Sequence, residues 1–254
     1  NFGVASLATC IAAMAAVPYI AIQLKAISGS FDLFTRHLGG TVLGGEFVIA
    51  DFSFLVAAAL GLFAVLFGTR HADATEHQNG LILAVAVESI VKLTAFLAVG
   101  IAVTFFYFGS PAELFSSNQT NLSLAAALSY QTPISTWAVL IFLSGFAIIL
   151  LPRQFHVMIV ENRDDREMRT AAWLFPLYLV AINLFVLPIA MAGHVHLPTG
   201  TPSDLYVLAL PLTAGAEWLS LLVFIGGLSA ATAMVIVASV ALSIMISNDL
   251  VLPL

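Results

Sequence analysis

Two charged side chains interrupt a long apolar run at residues 80–107: Glu88 and Lys92. Both lie two to three turns inside that run. A charge at such depth in a membrane helix is costly and faces a protein interior or a wet cavity. The i,i+4 spacing with Glu first puts both groups on one helix face in the favourable order. Two readings stay open: a buried ion pair that fixes helix packing, or a solute or proton site with Glu88 or Lys92 as carrier. Tyr19 and Gln23 repeat the spacing in the first apolar run, just after Pro18. They are equipped either to hydrogen-bond a solute in a membrane cavity or to bond a neighbouring helix. Ser144, Gly145 and Phe146 sit mid-run at 135–156, where a glycine permits close packing or a helix break that offers backbone groups to a substrate.

The other chemistry-bearing residues point less sharply. The stretch 68–80 gathers His71, Asp73, Glu76 and His77, but in no standard zinc spacing. It reads as a turn with Asp73 or Thr75 capping the next helix. Glu217 opens the last apolar run and Asp51 lies in the second; each is a solvated interfacial group or part of a pathway. Cys10 is the single cysteine, which excludes an internal disulfide, and its apolar surroundings mark it as a small buried hydrophobe. No nucleophile–base pair or phosphate loop is present, so no catalytic site, cofactor or metal is expected.

Composition decides what positions these residues. Of 254 residues 61% are hydrophobic and 9% are charged, against roughly 45–50% and about 25% in soluble domains. With 8 Lys and Arg and 14 Asp and Glu, the chain can neither solvate a globular surface nor track a nucleic-acid backbone. A lipid bilayer removes the first demand. Spanning takes about 20 apolar residues, and six runs qualify: 3–25 (with a kink expected at Pro18), 47–67, 80–107, 135–156, 170–193 and 214–247. The last exceeds the thickness of a bilayer, so a tilt, a bend at Gly226-Gly227 or an extension is expected. Transmembrane strands would alternate polar and apolar residues, which these runs do not. Residues 1–254 thus form one transmembrane unit, an all-α polytopic bundle.

The loops fix its orientation. The connections 108–134 and 194–213 have no Lys or Arg. The link between the fourth and fifth runs carries Arg153, Arg163, Arg166 and Arg169, and that between the second and third carries Arg70, His71 and His77. Basic loops stay in the cytoplasm, so the first run goes from inside to outside and the sixth ends inside; Arg36, in an outer loop, is the exception. The mixed stretch 154–168 reads as a helix extension at the cytoplasmic interface. The chain opens on Asn1 with no basic n-region or cleavage site, so no signal peptide is read, and both ends look like cuts through a larger protein.

Three stretches carry a resemblance to the sodium/solute symporter family: AVPYIAIQLKAIS at 16–28, LPRQFHVMIVENRDDREMRTAAW at 151–173, and AATAMVIVASVALSIMISNDL at 230–250. Within it, GTRHADATEHQNGLILAVAVESIVKL at 68–93 is most similar to the transporter-like sensor domain of bacterial hybrid histidine kinases of the CbrA type. The resemblance implies a LeuT-like five-plus-five inverted repeat in a bacterial inner membrane. The six runs would be core helices three to eight, with one, two, nine and ten absent. It also implies a small amino-acid-like solute, histidine among the candidates, moved by alternating access. A C-terminal kinase module would follow in the same chain. By analogy the family's second sodium site falls on Ala230, Ala233 and Met234, whose side chains offer no hard oxygen ligands, and Thr232 is one position off. Sodium coupling is therefore not expected, and a proton-coupled or uncoupled cycle is. The family's aromatic substrate contact falls at Phe146. A pure sensor without net transport, signalling to the kinase, is the alternative; a structural subunit of a membrane complex is a third reading.

Overall fold

The computed structural model describes residues 2–39, 52–67, 79–110, 113, 131–162 and 164–253. The helices are α1 (Phe2–His37), α2 (Phe52–Phe67), α3 (Asn79–Tyr107), α4 (Ile134–Leu150), α5 (Pro152–Phe155), α6 (Asp165–Asn183), α7 (Val186–His196), α8 (Tyr206–Thr213) and α9 (Glu217–Ile246). A π-helical turn, His156–Val160, prolongs α5, and another, Ser247–Val251, prolongs α9. No strand occurs among the described residues. Uncharged runs of this length can satisfy every backbone group only within a helix when water is absent.

Four helical stretches are long and apolar enough to cross a membrane: Phe2–His37, Ile82–Tyr107, Asp165–His196 and Glu217–Val251. A fifth is broken: Ile134–Leu150 and Pro152–Val160 meet at 55°. Against six expected spans, four or five are found among the described residues, and residues 47–51 of the second expected run lie outside them. In the second run only Phe52–Phe67 is described, 16 residues, or about 24 Å of helix. Large apolar side chains stand exposed on every long helix, Trp173, Trp218 and Phe106 among the most open, as they do on a body solvated by lipid.

α3 and α9 make the most extensive contact, and α1 lies antiparallel along α9. Their pairing runs the length of both helices. Ser6 donates to the Asp249 carbonyl oxygen at 2.8 Å and Thr9 to the Asp249 carboxylate at 2.8 Å. Tyr19 donates to the Met234 sulfur at 2.9 Å, and Phe34 stacks on Phe224 with centroids 5.0 Å apart. The N-terminal end of α1 therefore sits beside the C-terminal end of α9, at the end of the bundle where α6 begins in the Arg-bearing link. Thr9 is fully buried. Thr9→Val strips the Asp249 carboxylate of this donor, a loss of about 1 kcal/mol, or roughly 2–4 °C in Tm. Thermal unfolding in nanodiscs should show that drop, and Thr9→Ser should restore the wild-type value.

α1 is one helix through Pro18 and α9 one helix through Gly226-Gly227. At Gly226 the backbones approach closely: a Cβ there would lie 2.9 Å from the Ala95 Cβ on α3. Several local expectations are revised. Cys10 is exposed, not buried, because its face of α1 turns away from α9. The fourth span does not break at Gly145 but six residues on, at Leu151–Pro152; Pro152 has no N–H for the Ile148 carbonyl. The stretch 154–168 is not one extension: 154–160 belongs to the bent limb, and α6 has begun by Asp165. Asp164 caps α6 through the Arg166 N–H at 3.2 Å, and Asp165 and Glu167 in its first turn suit the helix dipole. Finally, the Arg-free connection 194–213 is not simply a loop. It holds α8, whose Leu208–Leu212 are buried with Val99, Val103, Ile189, Met191 and Val223 in the main core.

Candidate functional site

The main core cluster lies at the Arg-free end of the bundle, while Val235, Val237, Ala238, Val240 and Ala241 of α9 are buried toward the other end. Toward the other end α3, α6 and α9 separate around a cavity of about 520 Å³, into which α5 projects. Arg153 and Gln154, just past the break, form one wall. Glu88, Ser89 and Lys92 on α3 line the facing part, with Tyr178 from α6 and Ala233, Met234 and Val237 from α9. A second cavity, about 370 Å³, lies on the core side, lined by Lys92, Ala95, Asn183, Asp204, Gly226, Gly227 and Ala230 among others.

The two are stacked along the helices. On α3 the near cavity takes residues 85–92 and the far one 92–96. On α6 and α7 the division falls between Leu179 and Ile182, and on antiparallel α9 between Ala233 and Ala230. About one helical turn separates them on α6 and on α9, and on α3 they meet at Lys92. Lys92 alone among the lining residues faces both.

Glu88 is buried and Lys92 half-buried. Among the described residues no ion pair joins them, so the packing ion pair is not formed here; both face open space. Lys92 Nζ stands 6.0 Å from the centre of the Tyr178 ring, and Tyr178 donates to the Ser89 carbonyl at 3.4 Å, tying α6 to α3. Across the cavity the Arg153 guanidinium donates to the Tyr19 hydroxyl and lies over its ring, 4.5 Å from the centre. The same hydroxyl donates to Met234, so one polar contact links α1, α5 and α9.

The residues singled out from the sequence thus divide. Glu88, Lys92, Ala233 and Met234 share the near cavity, with Tyr19 at its Arg153 wall; Ala230 lines the far one. The Thr232 hydroxyl donates to the Ser229 carbonyl at 2.9 Å. Gln23 is half-buried one turn beyond Tyr19 and makes no hydrogen bond among the described residues. Ser144, Gly145 and Phe146 line neither cavity: they are exposed on α4, where the Phe146 ring lies against that of Phe142, centroids 4.5 Å apart. Glu217 is at the start of α9, on a separate hollow with His37 and Trp218. Asp51 and the 68–78 part of the His/Asp/Glu stretch lie outside the described residues. The remaining residues show no cluster of three metal-ligating side chains.

Arg153 and Tyr178 are the site residues that sequence reasoning missed. Arg153 was counted only as a loop charge that orients the chain. The signal that could have found it is its place directly after Leu151-Pro152, where proline breaks the helix and can turn the next side chain inward. No protein-family model matches the chain, and no curated protein or solved structure does either.

Proposed function

We propose that the chain is a transporter-like membrane domain that binds an amino-acid-like solute and passes it across the bilayer by alternating access. The observation that carries this reading is the stack of two cavities that meet at Lys92 on α3 and are parted by about one turn of α6 and of α9. A rocking of one helix group against another need only move that thin layer to exchange access. The broken fourth span adds to it. Its bent limb reaches the near cavity through Arg153 and Gln154 and is held by a polar contact that can be released and remade. In the near cavity carboxylate, ammonium and guanidinium groups sit among apolar walls, a setting fit for a solute with charged ends.

Sodium has no evident place. Ala230, Ala233 and Met234 bring no oxygen from their side chains, and hard cations need several. The cycle is therefore proton-coupled or uncoupled, with Glu88 and Lys92 as the groups to test. Uptake of radiolabelled amino acids, histidine included, into proteoliposomes should proceed equally in sodium and in potassium or choline buffers. Uptake that strictly requires sodium overturns the coupling assignment. Saturable binding with no uptake in any buffer replaces transport by sensing, the solute shifting helix positions for a cytoplasmic kinase to read.

The bend supplies a further check. Pro152→Ala returns an amide donor to the Ile148 carbonyl and favours a straight span, which draws Arg153 and Gln154 out of the cavity. Uptake is expected to fall roughly tenfold or more with folded yield maintained on size-exclusion chromatography. Unchanged uptake would show that the cycle does not use the bend.

A further inference from the structure

We infer that the near cavity selects an acidic amino acid, a solute with one ammonium and two carboxylates, over neutral amino acids. This rests on the solute-site reading above and narrows its substrate class. The charged groups among the described lining residues are Lys92, Arg153 and Glu88, two cations and one anion. At membrane depth an uncompensated charge is costly. A neutral amino acid, being zwitterionic, leaves the excess positive charge in place. An aminodicarboxylate cancels it and gives each protein charge an opposite partner.

The placement of the three groups matches that division. Glu88 and Lys92 are one turn apart on α3, so a ligand's α-ammonium and α-carboxylate, themselves adjacent, can meet Glu88 and Lys92 together. Arg153 comes from the facing wall on α5. Its guanidinium gives one N–H to Tyr19 and has four others. A carboxylate at the far end of the solute accepts two of them in parallel. An amide there accepts only one of the two, through its carbonyl oxygen, and turns its NH₂ toward a group that offers only donors. About 520 Å³ accommodates a five-carbon solute within the ordinary range of ligand sites.

L-Glutamate and L-glutamine test this cleanly, since they have the same shape and differ in the terminal group. In the full chain in nanodiscs, calorimetric titration should show glutamate binding at least about tenfold more tightly than glutamine, in keeping with a site whose buried polar groups reject a mismatched partner. Arg153→Gln should erase or invert that preference, and Arg153→Lys, which keeps the charge but loses the fork, should leave it intermediate. Glu88→Gln should cost glutamate more than 2-oxoglutarate, which has no ammonium to lose. Glutamine or histidine binding as tightly as glutamate to the wild-type chain overturns the inference and leaves the solute site standing. So does a preference unchanged by either Arg153 variant. Failure of all three amino acids to bind overturns the site as well.

Discussion

Lys92→Met is expected to reduce solute uptake roughly a hundredfold or more, the scale set by loss of a substrate-positioning group, without lowering thermal stability. Lys92 is the residue common to both cavities. A solute passing from one to the other must therefore pass its ammonium group. Methionine keeps the length and flexibility of the side chain and removes only the charge. No hydrogen bond or ion pair of Lys92 is lost, since none is formed with its described neighbours. Removing a charge from membrane depth lowers a desolvation cost, so Tm holds or rises. Glu88 then lacks the nearby cation, and Glu88→Gln added to Lys92→Met should restore any stability lost to that, but not uptake. The checks are proteoliposome uptake and thermal unfolding on the same preparations. A fall in Tm that the second substitution repairs together with uptake would instead make Lys92 a packing residue.

That Glu88 and Lys92 share one helix face inside the bundle was legible from the sequence, and so were most of the helices, because both rest on a strong local energy. Moving an uncharged run of about 20 residues out of water decides helix and span without reference to neighbours, and a charge within such a run is conspicuous for the same reason. The Arg distribution likewise set α1 antiparallel to α9, as the Asp249 contacts with Ser6 and Thr9 find them. What escaped depends on pairing in space. Residues 206–213 (YVLALPLT) are apolar enough to be a buried helix but too short to span, so hydropathy left them in a loop. Tertiary packing on α7 and α9 makes them core. Gly145 and Pro152 were both available as breaks, and proline wins because it removes a backbone bond outright, whereas glycine only permits one to be lost. Phe146 was placed in the site through the family resemblance alone, and a helix with no buried residue has nothing local in its sequence to say which face turns inward.

Gly100→Ala tests the packing of the core end, and its sign should depend on a second residue. A Cβ at Gly100 would run into the Cβ and Cγ of Phe185, at the base of its ring. Gly100 is buried on α3, and Phe185 is half-buried in the Leu184–Phe185 turn between α6 and α7. Pro188 cannot bond the Leu184 carbonyl, so this span must deviate here, and the glycine notch receives the ring that the deviation turns inward. Gly193 does the same for the Tyr206 ring at the start of α8. Forcing a methyl into such a contact costs about 1–3 kcal/mol, partly offset by the roughly 1 kcal/mol better helix propensity of alanine. Each net kcal/mol is worth roughly 2–4 °C in a domain of this size. Gly100→Ala is therefore expected to lower Tm by a few degrees in the wild-type background. With Phe185→Gly present both the ring and its Cβ are gone and only the propensity gain remains, so the same Gly100→Ala change should raise Tm. The double-mutant cycle, read by thermal unfolding in nanodiscs, isolates that coupling. A Gly100→Ala effect that is the same with and without the Phe185 ring would mean the notch does not hold it, and the junction of α6 and α7 would then need another cause.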